Sequence, residues 1–222
     1  MPHKTVVKGG INIPSVTQII GCLDKPGLYN WYGKYGTEEC NRIKIESGLF
    51  GTAVHDLIEQ FITGVTKPME WPESVDQDKA RRCAENFKTW YKTSGLEVIN
   101  AEPEDAVYSK RHNFQGTWDF IGKGYKGSPV ILVCDWKTSN SLYETVGLQL
   151  SAYAQLFGED QGWKDEETFK YIPDGLAVRI DKKTEKVYPK MFTGMKHYFD
   201  VFKHLIPAYE FHTQTGAWDH RE

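Results

Sequence analysis

Asp135–Trp136–Lys137 is where the sequence concentrates its chemistry. Residues two apart on a strand project from the same face. A carboxylate and an ammonium therefore emerge together at the polar end of the apolar run 130–134. Burying such a pair without a purpose or a partner is expensive. Alone, the pattern describes a surface ion pair at a strand end equally well. Asp119, in Gly116–Thr117–Trp118–Asp119, shifts the balance. Flanked by Trp118 and Phe120, it falls in a mostly apolar setting near the middle of the preceding strand. Adjacent antiparallel strands would bring Asp119 and Asp135 within reach of one cation, and oxygen-rich sites of this kind suit Mg²⁺ or Mn²⁺. The alternative is an Asp that closes a strand before the turn at Gly122.

Two helices supply further candidates. His55 borders an apolar helical stripe, one residue beyond Val54 and three before Ile58, with Glu59 four residues on along the same side. Gly48 and Gly51 lie on the preceding turns of this flank, which allows another element to approach closely. The imidazole then faces either the carboxylate cluster or, as a core-edge histidine, Glu59. Gln149 and Tyr153 are four apart on the helix after the D-x-K strand. Tyr153 also belongs to that helix's apolar stripe. Gln149, at the stripe edge, can bond a phosphate, Lys137 or water.

Elements that would position these residues are visible as changes of period. Ser15 reads as the N-cap of a short helix over residues 16–23, and Pro26 opens a second through residue 34. A more polar helix follows Thr37. Residues 48–63 form a strong helix through Phe50, Val54, Leu57, Ile58 and Phe61, and residues 76–93 another. Strands are expected over 96–101, 106–111, 116–121 and 130–136. The continuous apolar run 130–134 predicts a central strand covered on both faces. Helical spacing returns over 144–157, a hairpin over 175–181 and 186–189, and a final helix over 193–213, bent or broken near Pro207. The order predicts an α/β layer arrangement around a mixed sheet. It divides a single domain of 222 residues into a flexible arm (1–14), a helical region (15–95), a sheet-and-helix region (96–190) and a C-terminal helix (191–222).

Composition sets limits. The net charge of −3 and pI near 6.2 argue against a protein that coats duplex DNA through a broad basic face. Local patches and bound cations would have to do that work. No apolar run approaches the ~20 residues that span a bilayer, and residues 1–10 lack the apolar core of a secretory signal; a cytoplasmic location is the expectation. The four cysteines, Cys22, Cys40, Cys83 and Cys134, form no C-x-x-C pair, so neither a disulfide framework nor an iron–sulfur cluster is expected. Cys134, inside the apolar run, reads as a buried small hydrophobe.

Together the motifs resemble the RecB-like branch of the PD-(D/E)XK nucleases. The set is Gly51-x-x-x-His55-x-x-x-Glu59, then Gly116-Thr-x-Asp119, then Asp135-x-Lys137, then Gln149-x-x-x-Tyr153. It follows the family's order of a helix histidine, a G-x-x-D strand, a (D/E)-x-K strand and a Q-x-x-x-Y helix. Pro14–Ser15–Val16–Thr17 is similar to the phage and mitochondrial single-strand exonucleases of this group. Each piece is weak and the ordered set, covering roughly residues 14–157, is strong. The chain departs from the branch in lacking a Pro before Asp119 and the cysteine set of its iron–sulfur members.

The resemblance implies a restriction-endonuclease-like α/β core, a central mixed sheet flanked by helices, with an N-terminal helical region. It implies a metal-dependent DNA exonuclease acting on single strands or free ends in replication, recombination or repair. His55, Asp119 and Asp135 would be metal ligands, helped by the Trp136 carbonyl, with Glu59 behind them. Lys137 would position or deprotonate the attacking water. Gln149 and Tyr153 would orient Lys137 or hold the nucleic-acid backbone. Lys110, Arg111 and His112 make a basic cluster suited to phosphates; Lys182, Lys183, Lys186 and Lys190 make another, which a solvated turn explains equally well. Aromatics are 14% of the chain, and Trp31, Tyr32, Tyr35, Tyr108 and Trp118 include candidate stacking surfaces, although core packing must claim most of them. An endonuclease on the same fold, and a nucleic-acid-binding protein with a dead site, remain open. DNA is the expected partner, alongside replication or recombination proteins.

Overall fold

The computed structural model describes residues 7–8, 11–101 and 105–215. Its centre is a five-stranded mixed sheet in the order β3-β6-β7-β8-β9. The strands are β3 (Glu97–Ala101), β6 (Phe120–Lys123), β7 (Leu132–Lys137), β8 (Asp174–Ile180) and β9 (Val187–Thr193). β7 and β8 run parallel and the other neighbours antiparallel. Two small ladders stand apart, β1 (Val7–Lys8) with β2 (Ile11–Asn12) and β4 (Val107–Ser109) with β5 (Phe114–Gly116). The helices are α1 (Val16–Ile20), α2 (Pro26–Tyr35), α3 (Thr37–Thr63), α4 (Gln77–Ser94), α5 (Thr145–Asp160), α6 (Asp165–Tyr171) and α7 (Met195–Thr215).

The sheet separates two cores. Val133, Ile121 and Ala177 face α1, α5 and α7, where Leu150, Phe157, Phe199 and Phe202 pack. Leu132, Cys134 and Trp136, with Leu176, Val178 and Ile180, face α3 and α4. This alternation along β7 and β8 is the period-2 pleat of a strand covered on both sides. Asp135 and Lys137 share parity with Val133, so they belong to the α5 face. The parallel β7–β8 pair requires a crossover, which α5 and α6 provide.

Several expectations need correction. The polar helix after Thr37 and the helix over 48–63 are one α3 of 27 residues. Its polar half is laced by Arg42, bonded to Glu39 and Glu46 at 2.6 Å each, pairs that support a helix locally. The strand expected over 116–121 is broken: β5 ends at Gly116 and belongs to one ladder, β6 begins at Phe120 in another, and the chain bends between them. Residues 106–111 give a strand of only three residues, Val107–Ser109. α7 continues through Pro207. Packing of Met195, Phe199, Phe202 and Ile206 into the α5 side outweighs the ~3 kcal/mol penalty of an interior proline. α6 was not anticipated: it is short and polar, with Glu167 accepting from the Lys164 N–H at 2.8 Å and three acidic residues in its first turn, placed well for the helix dipole. The expected arm ends before residue 14. Ile13 is buried and the Pro14 carbonyl accepts from the Gln115 N–H at 3.0 Å. Residues 1–6, 9–10 and 216–222 of the expected termini lie outside the described residues.

Candidate active site

The site forms where β7 outruns β6. Their pairing ends at Phe120 opposite Cys134, while β7 continues to Lys137 against β8. Trp136 therefore has a backbone N–H and C=O with no β6 partner. Buried backbone groups need replacements, and side chains supply both. Asp119, on the bend that precedes β6, accepts the Trp136 N–H at 2.6 Å through Oδ2. His55 Nε2 lies 2.8 Å from the Trp136 carbonyl, so that nitrogen carries the proton. His55 Nδ1 lies 3.7 Å from Asp119 Oδ1. The Trp136 indole fixes this backbone from the other side: it is fully buried, with ring centroids 5.2 Å from both Phe87 and Phe120.

Glycine lets α3 reach this point. A Cβ on Gly51 would stand 2.9 Å from Thr138 Oγ1, so the helix touches the end of β7 one turn before His55. A Cβ on Gly116 would stand 2.9 Å from Tyr153 Cε1, so α5 lies equally close to β5. Tyr153 is buried, and its hydroxyl accepts from Gln149 Nε2 at 2.8 Å.

Asp135 is only 1% exposed. Its Oδ1 accepts from Lys137 Nζ at 2.7 Å, and its Oδ2 is buried with no hydrogen-bond partner among the described residues. Burial alone would depress the Lys137 ammonium. The carboxylates of Asp135 and Asp119 outweigh it and hold the pKa above the usual lysine value. Lys137 is thus charged at neutral pH, with a quarter of its side chain exposed. His55 is pushed the other way, down to about 4, by burial and by the positive charge of Lys137. Its imidazole is neutral at pH 7 and keeps a lone pair on Nδ1.

The donor set of two carboxylates, an imidazole nitrogen and a backbone carbonyl suits Mg²⁺ or Mn²⁺ in type. The partnerless Asp135 Oδ2 is the kind of orphan atom that a cation would satisfy. The arrangement is not preassembled: among the described residues no three His, Cys, Asp or Glu side chains converge on one point. His55 and the Trp136 carbonyl are bonded to each other, and Lys137 occupies Asp135 Oδ1.

The sequence matches no family model and no curated protein. Among solved structures, the chain is similar to the crystal structure of LHK-Exo in complex with dAMP, at 9% identity and a TM-score of 0.41, over 92% of this chain and 89% of that one. Superposition at that level assigns neither family nor activity.

The remaining candidates divide. Glu59 bonds Lys67 at 2.7 Å, and among the described residues the His55 ring's hydrogen bond goes to Trp136. Arg111 is occupied away from the carboxylates. Its guanidinium binds Asp165 Oδ1 at 2.9 Å and the Trp163 carbonyl at 2.6 Å. The N–H groups of Lys110 and Arg111 donate to Glu159, at 2.8 and 3.2 Å. Glu159 lies ten residues along α5 from Gln149, or about 15 Å, so this turn belongs to the opposite end of the helix; the Lys110 side chain is exposed there. Trp118 is 2% exposed and donates to Asn100 Oδ1 at 2.9 Å, which removes it as a stacking surface. Trp31, Tyr32 and Tyr35 sit on α2, a helix without a buried residue. Reading the sequence missed Thr138, whose position beside Lys137 was the available signal, and Arg179, the register partner of Lys137. Among the described residues no helix is long and apolar enough to cross a membrane.

Proposed function

We propose that the protein is a divalent-metal-dependent deoxyribonuclease that acts on single-stranded DNA or free DNA ends. One observation carries this reading. A fully buried carboxylate with an orphan oxygen, Asp135, shares the end of β7 with a charged, solvent-reaching Lys137, a second carboxylate and a neutral imidazole. Structural stability gives no reason to bury Asp135 half-satisfied, because the lost hydration is not repaid.

A Mg²⁺ or Mn²⁺ ion held by Asp135 and Asp119, with His55 and the Trp136 carbonyl, would supply charge relief at the phosphate and a more acidic water. Lys137 stays protonated, so it acts as a donor and a cation beside the scissile phosphate rather than as the base. Asp135 fixes the Lys137 ammonium at 2.7 Å. Asp119 fixes the strand end through Trp136, and the Gln149–Tyr153 pair lies on the helix that covers this face. The exposed aromatics of α2, Tyr29 and Tyr35, and its lack of acidic residues favour unpaired bases as ligands.

The test is a gel assay of end-labelled single- and double-stranded DNA and circular single-stranded DNA with Mg²⁺, Mn²⁺ or EDTA. Wild type is expected to degrade linear DNA, spare the circle and stop in EDTA. Lys137→Ala and Asp135→Ala should lose cleavage by roughly 10²–10³-fold or more. Cleavage of the circle moves the reading to an endonuclease. Full activity of Asp135→Ala refutes the site.

A further inference from the structure

The α5 face of the sheet carries a row of cations that the proposed site does not use. Lys137 on β7 is in register with Arg179 on β8, and Arg179 with Tyr188 on β9. One pleat earlier, Asp135 is in register with Ala177, and Ala177 with Lys190. Register partners point to the same face. Strands lie about 4.8 Å apart, so Arg179 stands one strand, and Lys190 two strands, from the column of Asp135 and Lys137. Ala177, between Asp135 and Lys190, is small and fully buried.

Arg179 is held ready rather than consumed. Its Nη1 donates to Asp181 Oδ2 at 2.6 Å and to the Asn140 carbonyl at 3.3 Å. Those bonds use one nitrogen and, among the described residues, leave Nε and Nη2 for another acceptor. The guanidinium lies 4.5 Å from the Tyr188 ring centroid, which fixes its plane. Lys190 pairs with Glu144 at 2.7 Å and is 40% exposed. Asp181 and Glu144 each balance one cation, and Lys137 is balanced by Asp135. Arg179 lies at the carboxyl end of β8, beside the carboxyl end of β7, the edge at which open α/β sheets bind ligands.

We propose that Arg179 and Lys190 bind the backbone phosphates of the DNA strand next to the one at Lys137, so that the strand crosses β7, β8 and β9 in that order. This rests on the nuclease reading. The fork of Arg179 suits a phosphate oxygen pair, and Tyr188, exposed on the outer strand, offers a face to a base.

The experiment is fluorescence anisotropy of a labelled oligothymidylate in EDTA, where cleavage does not interfere. Wild type, Arg179→Ala, Arg179→Lys, Lys190→Ala and a control, Lys92→Ala, are compared across a salt series. Each single-strand phosphate contact contributes about 0.7 to the slope of log K against log salt. Loss of Arg179 or Lys190 should lower the slope by that amount, which makes binding about fivefold weaker at ~0.1 M than wild type and similar at ~1 M. Arg179→Lys keeps the slope, and the control moves nothing. Should Arg179→Ala fail to fold, Lys190→Ala, which loses an exposed pair, carries the test. Unchanged slopes in Arg179→Ala and Lys190→Ala, with wild type binding and cleaving normally, overturn the track and leave the nuclease reading intact. A wild type that neither binds nor cleaves overturns both.

Discussion

Gly51→Ala tests whether α3 sets the geometry of the proposed site. Alanine in a helix interior is favoured over glycine by about 1 kcal/mol, so an open site would gain stability. Here the new methyl would sit 2.9 Å from Thr138 Oγ1, against an ordinary contact of about 3.5 Å. Relief needs a movement of roughly 0.6 Å, either of the short, nearly buried Thr138 side chain or of α3 itself. Overpacking of this kind costs about 1–3 kcal/mol. The net expectation is a loss of about 0–2 kcal/mol once the propensity gain of about 1 kcal/mol is subtracted. The functional effect should exceed the stability effect. His55 lies one turn beyond Gly51 and its 2.8 Å contact with the Trp136 carbonyl would stretch past the ~3.2 Å limit of a good bond. Misplacement on this scale lowers turnover by up to about 10²-fold. Thr138→Ala removes the clashing atom, so the double variant should recover both losses. Equilibrium denaturant unfolding followed by tryptophan fluorescence, with DNA cleavage on the same preparations, completes a double-mutant cycle with an expected coupling of about 1–3 kcal/mol. A Gly51→Ala protein that is more stable than wild type and fully active, with additive behaviour in the cycle, would refute the close approach.

Asp119→Ala should lower stability by about 1–3 kcal/mol, because the Trp136 N–H loses its acceptor; hydrogen exchange of that amide should accelerate, and unchanged protection would contradict the assignment. Asp119→Asn keeps an acceptor, so it should retain most of that stability while losing cleavage. Asp165 predicts a pH effect far from the site. Burial alone would raise its pKa, but the bonds from Arg111 and Gln155 and the charge and bond of His112 outweigh burial and lower it. A lowered folded pKa gives stability that is present above the unfolded value near 4 and is lost as pH falls through the folded value. Asp165→Asn should therefore be less stable than wild type at pH 7, with the gap closing below about pH 4; a gap that persists in acid would show that charge is not its source.

Much of the site was legible because its motifs are local. Asp135 and Lys137 are two apart on a strand announced by five apolar residues, and Gln149 and Tyr153 are four apart on a strongly periodic helix. His55 was legible as a helix residue, but its target was not: a backbone carbonyl 81 positions away leaves no local trace. The bend at Asp119 was read as strand because the residues around it are good strand formers, and the chain's passage from one ladder to another is a tertiary event. Arg111 looked like a phosphate ligand for want of knowing Asp165, 54 residues downstream. The length of α3 was hidden by glycines that resemble a boundary, while the ion pairs of its polar half carry the helix through.

Trp136 has a divided allegiance: its ring belongs to the α3–α4 core, its backbone is tied by Asp119 and His55, and its neighbours in sequence face the α5 core. The site is thus a seam between the two cores. Contacts at such sequence separation are made late, since their loops are costly to close before other contacts reward them. In refolding, recovery of the proposed DNA cleavage should lag the return of helix and of buried-tryptophan fluorescence, so that the site would report the last step of folding.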